Sequence, residues 1–203
     1  MNNNIIVAGV PRAGKSTMSR IISTRFGYQH VSMDSINAGF ERVFPELGIN
    51  TYADMSSLDI LYNISGKIAP FIKAMMDSGE YDEFDRGMVL DVYQLLPDDY
   101  MKHLHENKCE IFYLITSNVT PEERFLIQKQ YDTEKDYTFY HTDEEIREGC
   151  KYITEQSVLM KKQCIKHDLP YFETATNREA VFEQIINTLM DKHPESATSK
   201  ASP

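Results

Sequence analysis

The sequence predicts an α/β protein with a largely parallel sheet, because short apolar strands alternate with amphipathic helices along the chain. The strands at residues 5–8, 88–92 and 111–115 carry this prediction most clearly. Two further short strands are predicted at residues 28–32 and 170–173. In folds of this class ligands bind at the carboxyl ends of the strands, so the residues that follow each strand are the first candidates for function.

Helices are predicted where apolar residues recur at helical spacing. These stretches cover residues 14–26, 40–47, 58–72, 97–104, 120 onwards, 146–167 and 181–189. Pro70 should start, kink or break the third of them, since a proline inside a helix lacks an N–H donor. Residues 130–143 are polar and aromatic with few aliphatic side chains, which predicts an exposed excursion.

Length and charge exclude several classes of protein. The chain has 203 residues, which predicts a single domain over residues 1–192 and a disordered polar tail at 193–203. Its net charge is −10 and it has no basic run, which argues against nucleic acid or an anionic membrane as partner. No apolar stretch approaches the ~18 residues of a membrane span.

The three cysteines and the N-terminus predict a cytoplasmic protein. Cys109, Cys150 and Cys164 are far apart, odd in number and without CxxC spacing. This pattern argues against a disulfide framework or a zinc site, and Cys150 and Cys164 fall on an apolar helical stripe as small core residues. The N-terminus shows neither the basic region nor the cleavage site of a secretory signal.

The motif that carries the chemistry is Gly9–Ser16, which reads GVPRAGKS and matches GxxxxGK[ST] at every fixed position. It lies between an apolar strand and an amphipathic helix, the context that the motif requires. The glycines let backbone N–H groups point at phosphate, Lys15 can reach the β- and γ-phosphates, and the Ser16 hydroxyl can coordinate Mg²⁺. The predicted nucleotide-binding residues of this segment are Gly9, Pro11, Arg12, Ala13, Gly14, Lys15, Ser16 and Thr17.

With this motif the chain resembles the P-loop kinases, a group that includes nucleoside monophosphate kinases and related small-molecule phosphotransferases. The resemblance runs from Ile5 to about Leu189. It implies a three-layer P-loop NTPase fold with a five-stranded parallel sheet and ATP and Mg²⁺ as cofactors. It also implies a helical substrate-binding segment at about residues 35–83 and a lid at about residues 125–147.

Two aspartates are candidates for chemistry. Asp34 ends the predicted second strand, where related kinases that phosphorylate a hydroxyl place a general base, and the segment MDSI at 33–36 is similar to that of chloramphenicol phosphotransferase-like and polynucleotide-kinase-like enzymes. A carboxylate facing the γ-phosphate could accept the proton of the acceptor, or Asp34 could cap the following helix. Asp91 follows Val89-Leu90 and would hold water on Mg²⁺, with a strand-end turn residue as the alternative.

The resemblance also implies a lid and an adenine-binding loop. The lid needs cations to neutralise the transferred phosphoryl group, and Arg124 is the leading candidate for a catalytic cation, followed by Lys129, Lys135 and Arg147. Each of them could instead be a solvated surface charge. The segment TATNR at 174–178 resembles the loop that packs on adenine, which makes Thr176, Asn177 and Arg178 candidate nucleotide contacts. The alternative is a helix-capping loop.

Two departures from the nucleoside monophosphate kinases concern the acceptor. These enzymes carry an arginine three residues after the second-strand aspartate and Gly-x-Pro-Arg after the third strand, whereas this chain has Asn37 and the stretch DVYQL. The loss of both arginines favours a hydroxyl acceptor over a phosphate, although Arg42 or Arg86 could substitute. The predicted acceptor contacts are Asn37, Phe40, Arg42, Tyr52, Tyr62, Tyr93 and Gln94.

The leading hypothesis is therefore an ATP- and Mg²⁺-dependent phosphotransferase that moves the γ-phosphate to a small-molecule acceptor, at a hydroxyl group. Asp34 would be the base, Lys15 and Arg124 the catalytic cations, and Ser16 and Asp91 the residues that hold the metal. The first alternative is a nucleoside monophosphate kinase with relocated arginines. The second is a regulatory NTP-binding module without a dedicated acceptor, although the chain lacks the Asn-Lys-x-Asp motif of the common GTPase switches.

Overall fold

The computed structural model describes residues 4–49, 57–78, 87–107, 109–136 and 138–192. Its centre is a five-stranded sheet in the order β2-β3-β1-β4-β5, and every neighbouring pair of strands is parallel. The strands are β1 Asn4–Gly9, β2 Gln29–Ser32, β3 Met88–Val92, β4 Cys109–Ile115 and β5 Tyr171–Glu173. The predicted five-stranded parallel sheet is thus confirmed.

Helices connect the strands and cover the sheet, as parallel pairing requires. They are α1 Lys15–Phe26, α2 Met33–Val43, α3 Leu58–Asp77, α4 Pro97–His103, α5 Pro121–Tyr131, α6 Asp143–His167 and α7 Arg178–Lys192, with a short 3₁₀ helix at Pro45–Leu47. Capping boxes fix the starts of α5 and α6, at Thr120 with Glu123 and at Thr142 with Glu145. None of the described helices is long and apolar enough to cross a membrane.

The middle of the sheet forms the core and sets the position of the site. Strand β1 lies between β3 and β4, and its residues 5–8 are buried because neighbouring strands and helices cover them. The parallel register aligns Val7 of β1 and Ser32 of β2 with Asp91 of β3. The segments that leave β1, β2 and β3 therefore start from one edge of the sheet.

Two helices differ from the sequence-based expectation. Helix α2 begins at Met33, well before the turns expected at 40–47, so Asp34 lies in the first turn of a helix and not at the end of a strand. Helix α3 is continuous through Pro70. Pro70 and Gly66, the residue four positions earlier, are both on the exposed side of α3. Water can therefore replace the hydrogen bond that the Gly66 carbonyl loses.

The structure also bears on the predictions for the cysteines, for the exposed excursion and for the tail. Cys150 and Cys164 are buried and unbridged, and they pack among apolar side chains as predicted. The described residues between α5 and α6, at 132–136 and 138–142, form turns. The predicted disordered tail at 193–203, and Tyr52 and Arg86 among the predicted acceptor residues, lie outside the described residues.

Candidate active site

The loop Gly9–Ser16 leaves the central strand and passes directly against β4. Gly9 has φ +134°, and a Cβ atom there would lie 2.0 Å from the Leu114 carbonyl oxygen. The next residue, Val10, donates its N–H to that same oxygen at 3.1 Å. Gly14 has φ +94° and stands at the N-cap of α1. Both glycines are therefore required by the path of the loop, because L side chains rarely adopt these angles.

Lys15 is folded back into the loop. Its Nζ donates to the Val10 carbonyl at 3.0 Å and lies 5.5 Å from the centre of the Tyr93 ring. Lys15 is only 7% exposed, and burial lowers the pKa of its ammonium group, while the negative charges of Asp91 and Asp34 act in the opposite direction. A carbonyl is a weaker partner for an ammonium group than an anion, so this hydrogen bond is one that a phosphate could replace.

A cavity of about 460 Å³ opens beside the loop. Among the residues that the structure describes, four cationic side chains line it, those of Arg12, Lys15, Arg124 and Arg178, and Asp136 is the only carboxylate. The remaining lining residues are Gly14, Ser16, Thr17, Thr116, Val119, Ile127, Gln128, Tyr131 and Ala175. In a chain of net charge −10 this is a local concentration of positive charge, next to the N-terminus of α1. Such a cavity suits a polyphosphate.

Arg124 is built into the wall of this cavity. It is 5% exposed, and its guanidinium donates to the Pro11 carbonyl at 2.7 Å and to the Thr116 hydroxyl. It therefore bridges the phosphate loop and the end of β4. The other three predicted lid cations do not line the cavity. Lys129 pairs with Asp143 at 3.0 Å, Arg147 pairs with Glu122 at 3.2 Å, and Lys135 is exposed.

The segment that follows α5 meets the phosphate loop through carboxylates. The guanidinium of Arg12 forms ion pairs with Asp132 and with Asp136. Asp136 also accepts hydrogen bonds from the N–H and hydroxyl of Thr133, and these bonds together with Arg12 lower the pKa of its carboxyl. The predicted lid segment thus contacts the loop with acidic groups, where the family resemblance led us to expect cations.

The loop after β5 adds one further side of the cavity. Arg178 donates to the Arg12 carbonyl at 2.9 Å, and Ala175 and Arg178 both line the cavity. Thr176 and Asn177 are exposed and do not line it. Asn177 has φ +52°, and its carbonyl accepts the N–H of Val181 in the first turn of α7. The loop therefore both lines the cavity and starts a helix.

Asp34 lies in the first turn of α2 and is not among the residues that line the cavity. Its side chain is exposed, yet the surrounding protein raises the pKa of its carboxyl, chiefly by desolvation. The charge of Asp91 adds to this effect, whereas the charge of Lys15 opposes it, so the three groups interact electrostatically. Ser32 occupies the N-cap position of α2, so Asp34 does not have the capping position considered as its alternative role.

Asp91 is a buried carboxylate with spare acceptor capacity. It is 2% exposed, and its Oδ2 lies 3.8 Å from Nε2 of His30 on the neighbouring strand. Its Oδ1 is buried without a hydrogen-bond partner among the described residues. A water molecule on a cation would supply that partner, which fits the predicted role beside Ser16. The described residues contain no cluster of three histidine, cysteine or acidic side chains that could hold a metal alone.

The predicted acceptor residues separate into two sets. Asn37 is fully buried and donates to Gln94 at 3.2 Å, and the hydroxyl of Tyr93 bonds with Gln156 of α6. Phe40 is partly buried against the core and packs edge-on against Phe71, with the ring centres 5.0 Å apart. Arg42 is exposed near the C-terminal end of α2, about 12 Å along the helix axis from Asp34. The contact of Phe40 with Phe71 and the distance of Arg42 from Asp34 make Asn37, Tyr93 and Gln94 the better candidates for the acceptor site.

On the side of the cavity formed by α5, the sequence predicted Arg124 but not its three neighbours. Four residues of α5 line it at the spacing i, i+3, i+4 and i+7, namely Arg124, Ile127, Gln128 and Tyr131. This helical spacing was visible in the sequence, but the four side chains differ in polarity, so they form no apolar stripe. Thr116 and Val119 also line the cavity, and the strand-end rule alone would have found Thr116, which directly follows β4.

Several solved structures have a similar fold over almost the whole chain. A sugar kinase from a Janibacter species has a TM-score of 0.59 at 14% identity, with 98% of this chain and 99% of that chain covered. A shikimate kinase from Bacteroides thetaiotaomicron has a TM-score of 0.52 at 14% identity, with 95% and 98% covered. A shikimate kinase from Acinetobacter baumannii, in complex with shikimate, has a TM-score of 0.52 at 12% identity, with 94% of each chain covered.

No protein-family model matches the sequence, and no curated protein does. The structural similarities nevertheless show that the chain has the fold of the P-loop kinases, as the motif at Gly9–Ser16 predicted. At this low identity they show the fold alone. The activity is therefore argued from the chemistry of the site.

Proposed function

We propose that this protein is an ATP- and Mg²⁺-dependent kinase that transfers the γ-phosphate to a hydroxyl group of a small molecule. The observation that carries the proposal is the position of Asp34, which follows β2 at the same edge of the sheet from which the phosphate loop leaves β1. The charge of Lys15 acts on its carboxylate there. A carboxylate at the same edge of the sheet as a phosphate-binding lysine is placed as the general base that hydroxyl phosphorylation needs.

The nucleotide side would be held by the phosphate loop and the cations around it. The backbone N–H groups of residues 14–17, at the start of α1, and the ammonium of Lys15 would bind the phosphates, since Lys15 can exchange the Val10 carbonyl for a stronger anionic partner. Mg²⁺ would neutralise developing charge on the phosphates. Ser16 lines the cavity and would coordinate the ion directly, whereas buried Asp91 would hold one of its waters.

Asp34 would take the proton of the acceptor. As the acceptor oxygen forms its bond to the γ-phosphorus and the bond to the leaving ADP breaks, the hydroxyl proton passes to the carboxylate. Desolvation raises the pKa of Asp34 and brings it closer to the working pH, which strengthens the carboxylate as a base. The neighbouring charge of Lys15 opposes this shift and helps to keep the carboxylate ionised.

The acceptor side favours an uncharged, hydroxylated compound. Asn37, Gln94 and Tyr93 offer amide and hydroxyl groups, and Asn37 Oδ1 is a buried oxygen without a partner among the described residues. The candidate arginine Arg42 is remote from Asp34, which weakens the case for a phosphate acceptor. The names of the similar structures, a sugar kinase and a shikimate kinase seen with shikimate, agree with an acceptor that is not a nucleotide.

A screen that couples ADP release to candidate acceptors tests the proposal. The library would contain sugars, polyols and other neutral alcohols, together with AMP, CMP, GMP and UMP. We expect ADP release that depends on one class of neutral alcohol, with a matching gain of one phosphoryl group in the product by mass spectrometry. Efficient turnover of a monophosphate would favour the nucleotide kinase instead, and ADP release that no acceptor accelerates would favour the regulatory module.

A further inference from the structure

The carboxylate of one residue, Glu173, accepts several hydrogen bonds from the loop that connects β4 and α5. Glu173, the last residue of β5, accepts hydrogen bonds from the backbone N–H groups of Ser117 at 2.8 Å and of Asn118 at 3.2 Å, both at its Oε2. Its Oε1 accepts the Ser117 hydroxyl at 2.5 Å and the ammonium of Lys161 at 3.0 Å. Both oxygens of the carboxylate are thus used, each by two donors.

This connection forms part of the lining of the cavity. Val119 lines the cavity directly after the two residues that Glu173 holds, and Ala175 lines it two residues after Glu173. The Thr174 N–H donates to the Ile115 carbonyl at 2.9 Å, which joins the two segments at a second point. Val119, Ile127 and Ala175 are the apolar side chains among the described lining residues, and none of them belongs to the phosphate loop. We call these three residues the apolar wall. An apolar wall suits a nucleobase and not a phosphate.

The rest of the connection has anchors of its own. The N–H of Thr116 donates to the Ser157 hydroxyl at 3.3 Å, and the Thr116 hydroxyl accepts a hydrogen bond from Arg124. At the other end, the capping box of Thr120 and Glu123 fixes the start of α5. The loss of Glu173 should therefore loosen residues 117–119 and leave Arg124 and the phosphate loop in place.

We infer that Glu173 is a positioning residue for the nucleobase: it holds residues 117–119 against the loop after β5, so that the apolar wall is formed before the ligand arrives. This inference rests on the proposed function, because it requires a nucleotide in the cavity. Glu173 itself does not line the cavity and so would act through Val119. A site whose wall is already ordered binds the nucleotide more tightly, because fewer residues have to become ordered when the ligand binds.

The test compares a ligand that contains a nucleobase with a polyphosphate that contains none. Titration calorimetry would measure the affinities of Mg·ATP and of Mg·tripolyphosphate for the wild type, Glu173→Ala and Glu110→Ala. Glu110 is a matched control, because it is a strand residue whose side chain is 21% exposed and pairs with Lys192 at 2.7 Å, against 20% exposure for Glu173. We expect Glu173→Ala to weaken Mg·ATP binding about tenfold, the effect of ordering two or three more residues at binding. Tripolyphosphate binding should be unchanged.

Glu173→Gln serves as a second variant if Glu173→Ala does not fold. No orientation of the amide satisfies all the donors, since its NH₂ must face either the two backbone N–H groups or Lys161. It should therefore weaken Mg·ATP binding in the same selective way. Equal weakening of both ligands, or no weakening of either, would overturn the inference while the phosphate site stands. Failure of the wild type to bind either ligand would overturn the proposed function as well.

Discussion

Gly9→Ala tests whether the phosphate loop depends on its close approach to β4. The added Cβ would lie 2.0 Å from the Leu114 carbonyl oxygen, whereas real Cβ atoms essentially never approach another atom within 3.0 Å. The oxygen cannot easily move away, because it belongs to the central sheet and accepts the N–H of Val10 at 3.1 Å. The φ of +134° adds backbone strain that alanine cannot avoid in this position.

The expected loss of stability follows from these two costs. A strained φ costs about 1–3 kcal/mol, and forcing extra volume into a packed site typically costs about another 1–3 kcal/mol. A combined loss of about 4 kcal/mol in the free energy of unfolding corresponds to a fall in Tm of roughly 8–16 °C for a chain of this size. The loop must also move, so nucleotide affinity should fall with stability.

Urea denaturation and calorimetric titration with Mg·ATP measure both effects. Gly149→Ala is the control, because Gly149 lies in α6 and a Cβ there would meet no atom of the described residues within 4 Å. An alanine in a helix interior should stabilise the protein by about 0.5–1 kcal/mol. The reasoning is refuted if Gly9→Ala keeps both the stability and the nucleotide affinity of the wild type.

Three further predictions concern the charged groups of the site. Lys15→Ala should remove the thermal shift given by Mg·ATP while leaving the far-UV circular dichroism unchanged; a retained shift would contradict the phosphate-loop assignment. Arg12→Ala should speed amide exchange in residues 132–136, because Asp132 and Asp136 lose their shared partner; unchanged exchange would contradict a docked segment. The acid limb of kcat/KM should lie above the ordinary range of an aspartate, because desolvation raises the pKa of Asp34 and a base acts only when deprotonated; a limb near pH 4 would contradict this role.

The sequence predicts this fold well where the controlling interactions are local. The β-branched run at residues 5–8, followed by GVPRAGKS, specifies a buried strand, a glycine-dependent loop and a helix start within a few residues. The cap residues Thr120 and Thr142 act on their own helices in the same way. Such features can be predicted from the sequence directly, because the two interacting residues lie within one helical turn of each other.

The remaining features depend on contacts between distant parts of the chain. Arg12 forms ion pairs with two aspartates that lie 120 and 124 positions further along the chain. No local sequence pattern predicts that the segment after α5 contacts the phosphate loop through acidic side chains. Glu173 likewise meets Ser117 across 56 positions. Arg42 has the guanidinium group that could bind an acceptor phosphate. Because α2 already begins at Met33, however, Arg42 lies about two helical turns away from Asp34.

The most direct test of the central claim is the transfer of the labelled γ-phosphate of ATP to an acceptor by the wild type and by Asp34→Asn, at saturating ATP. We expect transfer by the wild type and a loss of ~10²–10⁴ in turnover for the variant, with ATP affinity near normal. Glu144→Gln is the control, because Glu144 is an exposed carboxylate at the same second position of its own helix, α6. A variant that keeps its turnover but binds ATP more weakly would contradict the assignment of Asp34 as the base, and a wild type that transfers no label to any acceptor would contradict the proposed kinase activity.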